Sequence, residues 1–198
     1  DRLGREYLLD AVGRLPEPSL AFGIDRARHN ADDPDARRPE LAGKPAQPKV
    51  FSSQIAFNVF SHNSAMGDDG YNLEESKMIH ETHKIFGDKS IRVAPTCVRV
   101  PVMRAHTESA AIEFSGPIGE SEVFDILSRA PGVEIVDDRA ANRFPEPIAA
   151  SGRDEVLVGR IRRDASVEGD RGIQLLCAGD QLLKGAALNA VQIAELLL

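Results

Sequence analysis

Residues 94–109 read Ala-Pro-Thr-Cys-Val-Arg-Val-Pro-Val-Met-Arg-Ala-His-Thr-Glu-Ser, a strand pattern that carries its own interruption. Val98, Val100 and Val102 recur at period two, which predicts a half-buried strand with Cys97 and Arg99 on the opposite face. Pro101 cannot donate to a ladder, so it predicts an edge or a bend, with the chain turning near Met103 and delivering His106 from the turn. Arg99 and His106 are seven residues apart, an odd offset that places them on opposite faces of a flat strand. They share a site only if the strand bends or bulges. On residue types alone, a surface arginine and a loop histidine are the plainer reading.

Downstream of this stretch, residues 107–114 read as its partner or continuation. Residues 121–130 carry Val123, Ile126, Leu127 and Ala130 at i, i+3, i+4 and i+7, the stripe of an amphipathic helix that Pro131-Gly132 stops. A short strand is predicted over 133–136, a loop over 139–152 and two further strands over 155–163 and 172–178. A long final helix is predicted over 180–198, where Gly185, Ala186, Ala187, Ala190 and Ala194 favour close packing. Upstream, Asn72 and Glu75 have the spacing of a capping box. Met78, Ile79, Ile85 and Phe86 follow before Gly87 ends that helix. Residues 50–60 are rich in β-branched and aromatic side chains and predict a buried strand or extended segment, and 61–70 a polar loop. Six of the twelve prolines fall within 15–49, so residues 1–49 are expected to be an arm or loop-rich segment opened by a short helix over 1–13, with one domain over 50–198. Strands interspersed with helices, without regular βαβ alternation, give an α+β class: a mixed or antiparallel sheet with helices packed on one face. No glycine-rich dinucleotide fingerprint follows any predicted strand, so no Rossmann domain is expected in this chain.

A formal net charge of -7 argues against nucleic acid or an anionic membrane surface as partner and leaves a small anion bound by a local basic pocket. Apolar runs are too short to span a bilayer, and no charged-then-apolar leader opens the sequence, which predicts a cytoplasmic address. Residue 1 is Asp, consistent with a fragment or a processed product. Cys97 and Cys177 both lie in apolar, strand-like contexts, which favours reduced thiols over a disulfide or a metal site.

His80-Glu81-Thr82-His83 has its histidines three apart, whereas the zinc-protease motif needs them four apart, so a solvated helix face is the better reading and no metal is expected. Glu74 and Lys77, also three apart, project from one helix face. Asp180-Gln181 precedes the final helix, where a simple cap is the more frequent outcome than an anion site. One candidate pocket remains: Glu74 and Lys77 from a helix, with Arg99 and His106 from a bent strand. Arginine grips carboxylates bidentately and histidine exchanges protons near neutral pH, so the four would form an anion site with a titratable base.

Several segments at these residues resemble the carboxy-terminal half of bacterial aspartate-semialdehyde dehydrogenases. They are Ser53-Gln-Ile-Ala-Phe-Asn-Val-Phe-Ser-His62, Asp69-Gly-Tyr-Asn-Leu-Glu-Glu-Ser-Lys-Met78, Thr96-Cys-Val-Arg-Val-Pro-Val102 with His106, Ala150-Ser-Gly-Arg-Asp-Glu155 with Val158-Gly-Arg-Ile161, and Lys184-Gly-Ala-Ala-Leu-Asn-Ala-Val-Gln-Ile-Ala-Glu195. The resemblance implies NADPH-dependent conversion of aspartyl phosphate to aspartate semialdehyde and phosphate, through a cysteine thioester, on the route to lysine, threonine and methionine. It also implies that Arg99 holds the substrate carboxylate, His106 is the general acid/base, Glu74 contacts the amine, Lys77 binds phosphate and Gln181 contacts the nicotinamide cofactor. A homodimer formed through this half is expected as well. Neither Cys97 nor Cys177 sits in the family's Asn-Cys-Ser/Thr-Thr nucleophile motif, and the glycine-rich cofactor loop is not found in these residues. The chain by itself is therefore expected to be inactive, with NADP bound mainly by a domain it lacks. The alternative is a non-catalytic paralogue or free-standing interaction module.

Overall fold

The computed structural model describes residues 51–55 and 58–198, and the chain divides between Met103 and Arg104 into two compact units. The expected helix over 1–13 and the proline-rich arm lie outside the described residues.

In the first unit, a two-residue strand β1 (Phe60–Ser61) pairs antiparallel with β2 (Val98–Arg99), in the register Phe60 to Arg99 and Ser61 to Val98. The pairing extends by one bond, His62 N to Cys97 O at 2.9 Å. Of the buried strand or extended segment expected over 50–60, strand forms only at its last residue and the one after it among the described residues; residues 51–55 are bends and irregular chain. Between these strands runs α1 (Leu73–Phe86). It begins where the capping box predicts: the Asn72 side chain accepts from Glu75 N at 3.0 Å, and Glu75 Oε2 accepts from Asn72 N at 2.9 Å. Gly87 closes it in the left-handed region at φ 65°, a conformation glycine adopts without Cβ strain. The apolar positions expected to pack are another matter: Ile85 and Phe86 are exposed, and the one buried residue of α1 is Glu75.

The Val98 alternation is real but faces the other way. Cys97 and Arg99 are half-buried, while Val98, Val100 and Val102 are exposed by 49%, 42% and 37%. The cause is α1, which covers the cysteine side: Glu75 Oε1 accepts from Cys97 N at 2.8 Å, and Met78 Sδ lies 3.4 Å from Cys97 Sγ. Pro101 does bend the chain. Val102 N donates to Val100 O at 2.8 Å, a three-residue turn centred on the proline.

The second unit is a four-stranded sheet in the order β3-β6-β5-β4: β3 (His106–Glu113), β4 (Val133–Ile135), β5 (Val156–Arg163) and β6 (Gly172–Gly179). The β3-β6 and β6-β5 pairs are antiparallel and β5-β4 is parallel, which makes the mixed sheet of an α+β fold. Residues 94–109 therefore contribute to two sheets, β2 and β3, rather than to one strand. Helix α2 (Glu120–Ser128) seats Val123 against Ile161 and Ile173, with Leu127, Ile135 and Leu175 around them; Ile126, expected in its apolar stripe, is half exposed. Within the segment expected to be loop, the single turn α3 (Pro147–Ala150) places Ala150 against Leu157 and Ala178. Ala178 and Ile173 are five apart on an unbroken strand, so the two clusters lie on opposite faces of the sheet. Leu157 and Ile161 serve these opposite faces from one strand because β5 bulges between Gly159 and Arg162. The final helix opens with a π-helical turn (Leu183–Ala187) before α4 (Leu188–Glu195), and Val191, Ile193 and Leu196 to Leu198 on it and beyond it are exposed.

Candidate functional site

Arg99 is the best anchored of the predicted site residues. Its Nη2 lies 2.7 Å from His62 Nε2, its Nε donates to Asn63 Oδ1 at 3.2 Å, and its guanidinium carbon stands 5.2 Å from the centroid of the Phe51 ring. The β1-β2 pairing creates this arrangement, since it sets Phe60 opposite Arg99 and brings the 62–63 turn beside the arginine. Two hydrogen bonds and a cation–π contact fix a side chain whose planar fork is suited to a carboxylate.

Glu74 and Lys77 form an exposed ion pair, Nζ to Oε2 at 3.3 Å, one turn apart on α1. Exposed pairs of this kind add little stability, so their consequence is the placement of one anion and one cation near the same imidazole. The pKa of His62 is held below its ordinary 6.5, first by burial and then by the charge of Arg99. Glu74 and Glu75 oppose that shift, and Lys77 reinforces it. Glu74, Lys77 and Arg99 thus all act on His62. Backbone links tie the cluster to the helix: Ser64 Oγ accepts from Glu74 N at 3.3 Å and donates to Asn72 Oδ1 at 3.3 Å. His62 and Asn63 fall within the segment expected to be a polar loop. The signal that points to them is a run of small and polar residues, Ser61-His-Asn-Ser64, directly after an apolar segment.

His106 lies in the second unit, exposed, as the first residue of β3 opposite Gly179. Its placement is fixed by its neighbours. Ala105 is buried in the left-handed region at φ 76°, a strained conformation for a residue with a Cβ. Its N–H donates to Gln181 Oε1 at 2.6 Å. Asp180, fully buried, accepts from Gly152 N at 2.6 Å and Leu182 N at 2.9 Å and pairs with Arg104 Nε at 2.7 Å. Burial alone would raise the Asp180 pKa; the backbone amides and Arg104 outweigh it and hold it below the ordinary value. Asp180 therefore caps the last helical segment and clamps the entry to β3, the plain structural outcome anticipated for it. Gln181 uses its amide oxygen on Ala105, so the group it can present to a ligand is its amide NH2.

The remaining candidates resolve into structure. His83 Nε2 donates to Ile91 O at 2.7 Å, which turns half of the His80-His83 pair into a loop tether. Among the described residues no cluster of three or more His, Cys, Asp or Glu could hold a metal ion. Cys177 is a free thiol pushed up to about 11, by burial first and the nearby Glu108 carboxylate second, which suits a packing residue and not a nucleophile. No helix of the described chain is long and apolar enough to cross a membrane.

Residues 26–184 match the family described as semialdehyde dehydrogenase, dimerisation domain, a stretch that begins inside the proline-rich segment. The chain is 46% identical over 177 residues to the aspartate-semialdehyde dehydrogenase of Synechocystis sp., covering 89% of this chain and 50% of that protein. It is 48% identical over 158 residues to that of Prochlorococcus marinus, covering 80% and 46%. Among solved structures it resembles aspartate semialdehyde dehydrogenase II from Vibrio cholerae, complexed with ASA, at a TM-score of 0.74 and 46% identity over 80% of this chain and 46% of that one. The chain spans about half the length of the curated relatives it matches.

Proposed function

Because this chain belongs to the semialdehyde dehydrogenase family, matched over its dimerisation domain, we propose that it is the substrate-binding and dimerisation part, residues 50–198, of an NADP-dependent aspartate-semialdehyde dehydrogenase. The substrates on this reading are aspartyl phosphate and aspartate semialdehyde with phosphate, the partner is a second copy of the chain, and the setting is cytoplasmic amino-acid biosynthesis. The observation that carries the reading is the fixed guanidinium of Arg99, with Glu74 and Lys77 acting on the same imidazole that holds it.

Each role follows from chemistry. The Nε/Nη2 edge of Arg99 is engaged by Asn63 and His62, which leaves the Nη1/Nη2 edge to grip the α-carboxylate with two parallel bonds. Lys77 is a point charge suited to phosphate, and the Glu74 carboxylate is suited to the α-ammonium of the same ligand. In the free chain these two neutralise one another at 3.3 Å, and a zwitterionic ligand would exchange that pair for two of its own. His106, exposed at the head of β3, is the proton carrier: an imidazole takes up the thiol proton as a nucleophile attacks and returns it later. NADP, when bound, supplies or accepts the hydride. The residue of this chain that fits it is Gln181, whose amide NH2 suits a carboxamide oxygen, while the bulk of the cofactor and the nucleophilic cysteine are assigned to a domain outside these 198 residues.

The test is an assay of the complete reading-frame product for phosphate-dependent reduction of NADP by aspartate semialdehyde. Activity is expected there and absent from the 198-residue chain alone. Arg99→Lys is expected to raise KM for the semialdehyde by about 10- to 100-fold, the value of one bidentate charge-assisted contact. A complete product that forms no thioester and turns over no NADP would leave a non-catalytic relative as the answer.

A further inference from the structure

Arginine only donates, so the 2.7 Å contact between Arg99 Nη2 and His62 Nε2 requires a lone pair on Nε2. The imidazole proton then sits on Nδ1, which points 3.1 Å from Ser64 Oγ. Ser64 in turn donates to Asn72 Oδ1, the fully buried cap of α1. Ser64 N also lies 3.3 Å from Nδ1, a contact that competes only if Nδ1 is unprotonated. The shorter, charge-assisted bond at Nε2 decides the tautomer. The chain of bonds from helix cap to serine to imidazole to guanidinium thus has one polarity.

We propose that His62 is a positioning residue for Arg99: its unprotonated Nε2, with Asn63 and Phe51, holds the guanidinium ready for a carboxylate, and a proton gained at His62 releases it. A second proton on the ring would remove the acceptor and set two cations 2.7 Å apart. The groups facing His62 are Arg99 from β2 and Glu74, Glu75 and Lys77 from α1. Burial and Arg99 keep the imidazole neutral below its ordinary 6.5, and the two glutamates temper this. The held state is therefore the state at neutral pH and is lost as pH falls from 6.5 through the depressed value. The inference rests on the reading of Arg99 as a carboxylate clamp and adds to it a residue that makes the clamp sensitive to acid.

The experiment uses the 198-residue chain labelled with 15N. Long-range imidazole spectra give the His62 tautomer, the Arg99 Nε–H signal reports its immobilisation, and titration with L-aspartate between about pH 5 and about pH 7.5 gives affinity. The expected result is an Nδ1–H tautomer and a sharp Arg99 signal that broadens as His62 protonates, with aspartate affinity falling about tenfold in step. His62→Gln keeps an acceptor without a titrating group, so its affinity should stay near the neutral-pH value and be flat with pH. His62→Ala should bind about tenfold more weakly throughout. An Nε2–H tautomer, an Arg99 signal indifferent to His62 protonation, or a His62→Ala chain that matches the parent at every pH would overturn the proposal. If the tautomer and the Arg99 signal behave as expected but the chain binds no aspartate at any pH, the positioning role stands and the assignment of the ligand falls.

Discussion

A methyl group on residue 159 would lie 1.9 Å from the Val136 carbonyl oxygen and 2.8 Å from Pro145 Cδ, distances no real Cβ tolerates. Gly159 sits immediately before the β5 bulge, where Val136 N already donates to Val158 O at 2.8 Å, so the backbone at 136 is held and cannot give way. Gly159→Ala is expected to cost about 3 kcal/mol or more, read as a lowered midpoint in urea at unchanged m-value; a loss within the error of that measurement would mean that β4 moves freely. At the same scale, the thiol of Cys177 stays protonated at neutral pH because its pKa is pushed up to about 11. Mass mapping after brief treatment of the folded chain with a thiolate-directed reagent at about pH 7.5 should find Cys177 unlabelled, with labelling restored in denaturant. Rapid labelling in the folded state would contradict the burial that raises its pKa.

The element whose stability is most exposed to test is α1, because its packing residue is a carboxylate. Glu75 receives the Asn72 and Cys97 backbone amides through its two oxygens, and those bonds hold its pKa below the ordinary 4.5. A depressed carboxylate contributes stability that is complete above 4.5 and is lost as pH falls through the folded value. Glu75→Gln is therefore expected to flatten the acid limb of the stability profile measured by circular dichroism in a fixed concentration of urea; an acid limb as steep as the parent's would place the titrating group elsewhere. Asn72→Ala removes the acceptor for Glu75 N, leaves that amide without its cap and should cost about 1–2 kcal/mol. One side chain thus starts the helix and docks β2 beneath it, which is why α1 needs so little apolar burial.

For the molecule as a whole, the apolar surface left uncovered sets the expectation. Val98, Val100 and Val102 in the first unit and Ile112 and the terminal leucines in the second are exposed, and apolar side chains left uncovered in this number are what an interface would bury. The family match, over a domain described by its dimerisation, supplies the occupant we propose, a second copy. Sedimentation equilibrium is expected to give twice the 21.5 kDa chain mass, and a monomer at all accessible concentrations would remove the dimer from the proposed function.

By itself the sequence determined what depends on near neighbours in the chain. Asn72, Glu75 and Gly87 start and stop α1 through bonds made within one turn of helix, and β3, β5 and β6 overlap the strands read over 107–114, 155–163 and 172–178. Glu74, Lys77, Arg99, His106 and Gln181 were legible as candidates from residue type, spacing and resemblance. Only the tertiary structure decided which face of the Cys97–Val102 alternation is covered, because that depends on α1 lying over Cys97 and not on the alternation. It likewise decided that Ile161 turns to the opposite face from Leu157, through a bulge that no hydrophobic pattern announces. His62 became visible only when the pairing of β1 with β2 brought it within 2.7 Å of a residue 37 positions away. Periodicity and caps are written locally, whereas partners for a polar side chain are chosen by whatever the fold brings beside it.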